Sequence, residues 1–218
     1  MMARLQSAAS SLPTFVHDRP LTRAALEFAS RVHDGDIRDA DGAPFILHPL
    51  EVASLLSSCD CRDEVTAAAI LHDTLEDTEA TADQLHTQFG SDVARLVRCL
   101  TENDGIEDER ERKSALRGQV ENADGDAAKI YAADKLSKVR ELRIRLRAEP
   151  DFAGRAAGRR TVDHYWRSLA MLERRIGGDA LVRQLRFELE SMRDLPPRNT
   201  SRAALAQASD QARDVLNG

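Results

Sequence analysis

Apolar positions recur at helical spacing along most of the chain. Leu21, Ala24, Ala25, Phe28 and Val32 follow i, i+3, i+4, i+7 steps, which predicts an amphipathic helix over residues 21–33. It stops at Asp34-Gly35-Asp36, and the Asp- and Gly-rich segment to Pro44 reads as a loop carrying one conspicuous base, Arg38. A second helix opens near His48-Pro49, because proline suits a first helical turn, and runs through Val52, Leu55 and Leu56 to end before Cys59. A third covers Arg62 to Leu75, and its run VTAAAIL predicts burial on nearly all sides. Thr81-x-x-Gln84 has the form of a capping box and opens a short helix that Gly90 ends, after which Ser91 caps another through Leu100. Residues 101–109 read as an acidic loop. Helices follow over 110–121 and 127–147 with Gly125 between, then over 161–175 and 179–193, separated by Gly177-Gly178. Pro196-Pro197 closes the compact part and leaves an Ala-rich tail with weak helical character.

Composition supports an all-α fold: aromatics are 4%, glycine (11) and proline (7) are sparse, and strong helix formers dominate. With 42% hydrophobic and 31% charged residues over 218 positions, the chain can bury one domain-sized core. We expect an N-terminal arm over 1–19, a domain over 20–195 and a C-terminal tail over 196–218. The longest unbroken apolar stretch, Ala67 to Leu71, is far short of the roughly 20 residues of a membrane span. A net charge of −6 supplies no basic field for nucleic acid. Cys59, Cys61 and Cys99 are an odd count without a second zinc-type pair, which predicts reduced thiols and a cytoplasmic setting. The first 19 residues hold no continuous apolar core of the kind a secretory signal needs and read as a loose arm.

The informative cluster is His72-Asp73 followed by Glu76-Asp77. On one continuous helix His72 would stand over Glu76 and Asp73 over Asp77, so four ionisable groups would project from a buried element. Either this is the helix's polar end, solvated or salt-bridged, or a cation offsets the cost of the carboxylates. His48, opening the preceding helix, and Asp134, set after two alanines and an apolar run, favour the cation. Together His48, His72, Asp73 and Asp134 make a mixed nitrogen and oxygen donor set suited to Mn²⁺, Fe²⁺ or Zn²⁺.

Five stretches, RVHDGDIRDADGAPFILHPLEVA, AAAILHDTLEDTEAT, FGSDVARLVRCLT, ERERKSALRGQVENA and IYAADKLSKVREL, occur in the order found in one family. In these the chain resembles the HD-domain metal-dependent phosphohydrolases, and most of all the (p)ppGpp hydrolase domain of Rel/Spo enzymes and the stand-alone small alarmone hydrolases, over roughly residues 20–190. The resemblance implies a helical bundle of roughly eight to ten helices, a phosphorylated nucleotide as substrate and removal of its 3′-diphosphate as the reaction. It implies Mn²⁺ held by His48, His72, Asp73 and Asp134, with Glu76 and Asp77 positioning and activating the attacking water. It also matches Arg38 to a base that lies against the nucleotide. Arg112 and Lys113 match a pair near the pyrophosphate end, though a solvated helix face explains them as well. Tyr165 falls where the metazoan form has a pocket tyrosine, or it serves the core, as Trp166 could. Alarmone synthesis is not expected, since no synthetase segment follows. A homo-oligomer is left open, and neither nucleic acid nor membrane is expected as a partner.

Two departures fall in the substrate pocket. Lys138 stands where the family usually has Asn, and Asp39 where a lysine usually follows the loop arginine. A ribose-bonding amide has become a point charge and a base has become an acid, which predicts intact metal chemistry with a shifted substrate preference. Candidates for that shift are (p)ppApp, NADPH or a nucleoside phosphate; a metal-containing binding protein without turnover is a further alternative. Residues 129–147 carry seven Lys or Arg against two acids, and of these cations only Lys138 is expected near the pocket.

Overall fold

The computed structural model describes residues 13–59, 61–149 and 151–193. Among them the elements are α1 (Thr14–His17), α2 (Pro20–Val32), α3 (Leu47–Ser57), α4 (Asp63–Leu71), α5 (Thr74–Asp77), α6 (Ala82–Leu100), α7 (Glu109–Asn122), α8 (Gly125–Ala148), a 3₁₀ turn (Phe152–Gly154), α9 (Ala156–Ile176) and α10 (Ala180–Arg193). No strand is present among the described residues beyond one isolated bridge, Ile37 to Pro44. The fold is all-α, as the apolar periodicity predicts. The tail expected over 196–218 lies outside the described residues.

Two helices form the centre. In α4 every residue from Val65 to Leu71 is buried, and the helix packs against α2, α3, α6 and α8. The second, α8, is buried along Ala127–Leu136 except at Lys129 and Lys135 and packs against α3, α9 and α10. Alanine at Ala67, Ala68 and Ala69, and again at Ala127, Ala128, Ala132 and Ala133, lets neighbouring backbones come close on several sides. The phenol of Tyr131 meets the Ser168 hydroxyl at 3.0 Å, which joins α8 to α9 with the polar atom of the largest buried side chain satisfied.

Some helix ends follow local rules and others need a tertiary partner. Thr81 and Gln84 form the expected reciprocal capping box at the start of α6, with bonds of 3.3 and 3.0 Å. Gly90 sits inside α6 at φ +87° and ψ 171°, a backbone state open essentially only to glycine, so the expected break between two helices is present as a kink. By contrast, the first amides of α2 are taken by the Asp63 carboxylate of α4, at 3.0 Å from both Leu21 and Thr22.

Two expectations are corrected, and the loop expected over 34–44 is borne out with added internal order. The segment before Pro20 is not a loose arm throughout: Thr14–His17 forms a helical turn, Val16 is fully buried, and Arg19 donates to the Cys61 carbonyl at 2.6 Å. The 34–44 loop is ordered as a small hairpin, with Arg38 N–H donating to Ala43 at 2.8 Å and Phe45 N–H to Asp36 at 2.9 Å. The helix expected over 62–75 ends at Leu71, and a separate turn, α5, follows. Side chains supply the cause: the His72 ring bonds the Ala69 carbonyl at 2.7 Å and the Thr74 hydroxyl bonds the Leu71 carbonyl at 2.6 Å. They occupy acceptors that the continuing ladder would have used. His72 and Glu76 are therefore not stacked on one helix.

Candidate metal centre

The break at His72-Asp73 turns that pair into a buried space bounded by the start of α3 and the middle of α8. Donor atoms of His48, His72 and Asp134 lie within 4.8 Å of one another, and all three residues are buried. His48 Nε2 is 3.3 Å and His72 Nε2 3.7 Å from the same Asp134 oxygen. Asp73 adds its carboxylate at 3.1 Å from His72 Nε2 and 3.6 Å from His48 Nε2.

Hydrogen bonds on the far side of each imidazole set its tautomer. The Ser137 hydroxyl donates to Glu51 at 2.9 Å, so it accepts from His48 Nδ1 at 3.0 Å and leaves the Nε2 lone pair facing the carboxylates. Glu51 is held in turn by Arg140 at 3.1 Å. His72 Nδ1 donates to the Ala69 carbonyl, with the same result for its Nε2. Both Nε2 atoms are buried and have no hydrogen-bond partner in the protein. Two buried lone pairs aimed at two carboxylates fit a divalent cation, and a satisfied polar cluster would not leave them orphaned.

The local electrostatics agree. Burial works against charge on His72, Asp73 and Asp134, yet Lys135, at 2.7 Å, together with the two imidazoles holds the Asp134 carboxyl well below its usual range. Burial likewise raises Asp73, but His72 and His48 outweigh it and leave it lowered. Burial alone would depress His72, and Asp73 and Asp134 instead lift it to about 9, so in the metal-free protein a proton occupies the place a cation would take.

Glu76 and Asp77 follow on α5. Glu76 is exposed as a residue, but its carboxyl is turned against the backbone N–H of Glu102, which donates to it. Loss of hydration, opposed by that bond and reinforced by Asp73 and Glu102, pushes it up to about 7. Asp77 is also raised, by burial and then by Asp73.

Two cavities adjoin the centre and meet at Lys138, Thr161 and Tyr165. The first, about 490 Å³, is lined by Arg38, Asp39, Phe45, Asp77, Glu141 and Phe152 among others. The second, about 940 Å³, is strongly cationic, with Lys113, Lys135 and Lys138 joined by Arg110, Arg117 and Arg160. Arg38 is clamped by Asp41 at 3.1 Å and faces Glu141 at 3.6 Å, and the Lys138 ammonium lies 5.5 Å from the Phe45 ring centre. Tyr165 lines both cavities and packs against the core, so the two sequence readings of it are compatible, and its phenol is raised by burial. Lys113 reaches Glu102 at 3.0 Å at the edge of the second cavity. Arg112 lines neither cavity: its head bonds Glu102 at 2.6 Å and the Ile106 carbonyl at 3.1 Å.

The expectation that only Lys138 of the basic helix approaches the pocket is corrected, because Lys135 and Arg145 line cavities too. Sequence reasoning also passed over Ser137, Glu51, His33 and His164. His33, buried with Nδ1 3.0 Å from Asp36, lines the first cavity, and His164, in the second, accepts from Arg117 at 2.9 Å. Lys135 and Ser137 sit within three residues of Asp134, and that adjacency was the one available signal.

A helical fold that gathers His48, His72 and Asp134 into a buried cluster able to hold a divalent metal, with Asp73 beside it, has the form of a metal-binding helical protein. Residues 25–148 match the model of the HD domain, and the chain belongs to that family. It is 40% identical over 124 residues to guanosine-3′,5′-bis(diphosphate) 3′-pyrophosphohydrolase MESH1 of Danio rerio, and 38% over 121 residues to the MESH1 of Homo sapiens. These matches cover 54% of this chain and 66% and 67% of the relatives, so about two thirds of each relative's length is spanned. A solved metazoan ortholog of SpoT that hydrolyses ppGpp superimposes with a TM-score of 0.69 at 27% identity, over 80% of this chain and 96% of that one. No helix among the described residues is long and apolar enough to cross a membrane.

Proposed function

We propose that this protein is a metal-dependent pyrophosphohydrolase that removes the 3′-diphosphate of (p)ppGpp-like alarmones, giving GDP or GTP and pyrophosphate. The observation that carries the hydrolytic reading is the pair of orphaned, buried Nε2 atoms of His48 and His72 facing Asp73 and Asp134, with Glu76 and Asp77 beside them. The named activity of the relatives supports the substrate.

In this reading His48, His72, Asp73 and Asp134 hold the ion, and the mixed donor set suits Mn²⁺ first, with Fe²⁺ and Zn²⁺ as alternatives. Such an ion, when bound, polarises the phosphoryl oxygens and acidifies water. Glu76, with a carboxyl raised to about 7, is suited to accept a proton near neutral pH, and Asp77 orients the nucleophile from the cavity wall. The first cavity receives the nucleoside, with Arg38 and Tyr165 on its walls. The cationic second cavity offsets phosphate charge through Lys113 and Lys138, whereas Arg112 acts on this face only by holding Glu102.

A second reading, hydrolysis of a different phosphorylated substrate such as ppApp or NADPH, is favoured by Asp39 and Lys138 on the cavity walls. Purified protein with Mn²⁺ is assayed against ppGpp, pppGpp, ppApp and NADPH, resolving pyrophosphate from orthophosphate, with Glu76→Ala alongside. Pyrophosphate from the guanosine substrates, reduced at least about 100-fold in the variant, is the expected result. Release from ppApp or NADPH alone selects the second reading.

A further inference from the structure

We infer that Glu141 is the base-selecting residue of the first cavity, and that it prefers guanine over adenine. This deepens the proposed function and rests on its assignment of the nucleoside to that cavity.

Glu141 stands on α8 in the wall of the cavity, with its side chain only 13% exposed. Its Oε1 is buried and has no hydrogen-bond partner in the protein. The nearest cationic groups stand beyond hydrogen-bond distance: Arg38 Nη1 and His48 Nδ1 are each 3.6 Å away, with the Arg38 guanidinium held on Asp41 through Nε and Nη2 and His48 Nδ1 already bonded to Ser137. A carboxylate with one buried oxygen left unpaired is not satisfied from within the protein, and because the same carboxyl forms part of the cavity wall, a ligand donor is its natural complement.

The rest of the cavity limits what that ligand can be. Phe45, Phe152 and Tyr165 line it together with Leu142, and the Arg145 guanidinium lies 3.9 Å from the centre of the Phe152 ring. Flat walls of this kind accept a planar heterocycle by stacking. A carboxylate accepts and does not donate. Guanine offers N1–H and the N2 amino group side by side, so both can point at one carboxylate. Adenine offers only its N6 amino group there and would turn the N1 lone pair toward the negative charge. Hypoxanthine keeps N1–H and lacks the second donor.

Glu141→Gln separates this role from a structural one. Its amide keeps the shape, removes the charge and adds a donor that suits adenine N1. The holo-protein with Mn²⁺ is assayed on the 3′-diphosphates of guanosine, inosine and adenosine nucleotides, and GDP and ADP affinities are titrated in parallel. The wild type is expected to rank guanine above hypoxanthine above adenine. In Glu141→Gln the guanine-to-adenine ratio of kcat/KM, and the GDP-to-ADP ratio of affinities, are each expected to fall about tenfold or more. Equal losses on both bases would assign Glu141 to holding Arg38 or His48 and overturn the inference, as would unchanged ratios. If no 3′-diphosphate is hydrolysed, the proposed function fails, and the GDP and ADP affinities still decide whether Glu141 selects a base. Thermal melts of both proteins establish that the variant is folded.

Discussion

His48 shows what a buried imidazole needs before it can bind a cation. Its Nδ1 proton goes to Ser137, whose own proton goes to Glu51, and Arg140 holds Glu51. Ser137→Ala leaves Nδ1–H without an acceptor and loosens the ring. Mn²⁺ affinity is expected to fall about 10–100-fold while the fold persists, measured by metal titration and thermal melting. His164 presents the opposite case. Burial, helped by Lys135, Lys113 and Arg117, drives it down to about 2, so it stays neutral while it accepts from Arg117. In the unfolded chain this group binds a proton below about 6.5, whereas in the folded chain it does not. Its contribution to stability is therefore present above pH 6.5 and is lost as pH falls toward 2, with a slope of at most ~1.4 kcal/mol per pH unit. His164→Gln is expected to flatten denaturant-measured stability between about pH 7 and pH 5 relative to wild type. At this scale His48, His72, Asp73 and Asp134 were legible because buried ionisable residues in apolar runs need a reason. Ser137 was not, since a serine on a charged helix resembles an ordinary surface residue until its burial is known.

Among the elements, the start of α6 and the 3₁₀ turn respond to different rules. The Thr81 capping box is local, and Thr81→Ala is expected to cost ~1 kcal/mol in chemical denaturation without affecting the metal centre. Gly158 of α9 is tertiary: a Cβ there would collide with the Phe152 carbonyl of the 3₁₀ turn. Phe152 forms part of the first cavity wall, so Gly158→Ala is expected to raise KM for the nucleotide more than it lowers kcat, besides costing about 1–3 kcal/mol. Equal effects on both parameters would separate the turn from the binding wall. Most helices matched their apolar periods, because each buries a stripe at 3.6-residue spacing. The exception, residues 62–75, follows a helical pattern throughout. It breaks because His72 and Thr74 side chains take backbone carbonyls, a competition that hydrophobic spacing does not register.

For the whole molecule, metal and proton compete at one place. With His72 at about 9, metal-free protein carries a stabilising proton that is fully present below about pH 6.5 and lost as pH rises through about 9. A divalent ion must displace it, so Mn²⁺ affinity is expected to rise with pH up to about 9, by about tenfold per unit for one displaced proton. Titrations at several pH values in that window check the slope, and affinity independent of pH would remove His72 from the ligand set. Bound metal at about a hundredfold excess over its dissociation constant adds ~2.7 kcal/mol, so a chelator is expected to lower Tm.

By itself the sequence determined the all-α class, most helix boundaries and the residue types able to hold a cation, because propensity, periodicity and donor chemistry are properties of short segments. Only the tertiary structure decided that Asp63 caps α2, that Ser137 joins His48 to Glu51, that Arg112 turns away from the cavities and that Glu141 is left with an unpaired oxygen. Each of these depends on which distant segment arrives at a given side chain. That is set by how α2, α3, α4 and α8 pack around their buried alanines and leucines.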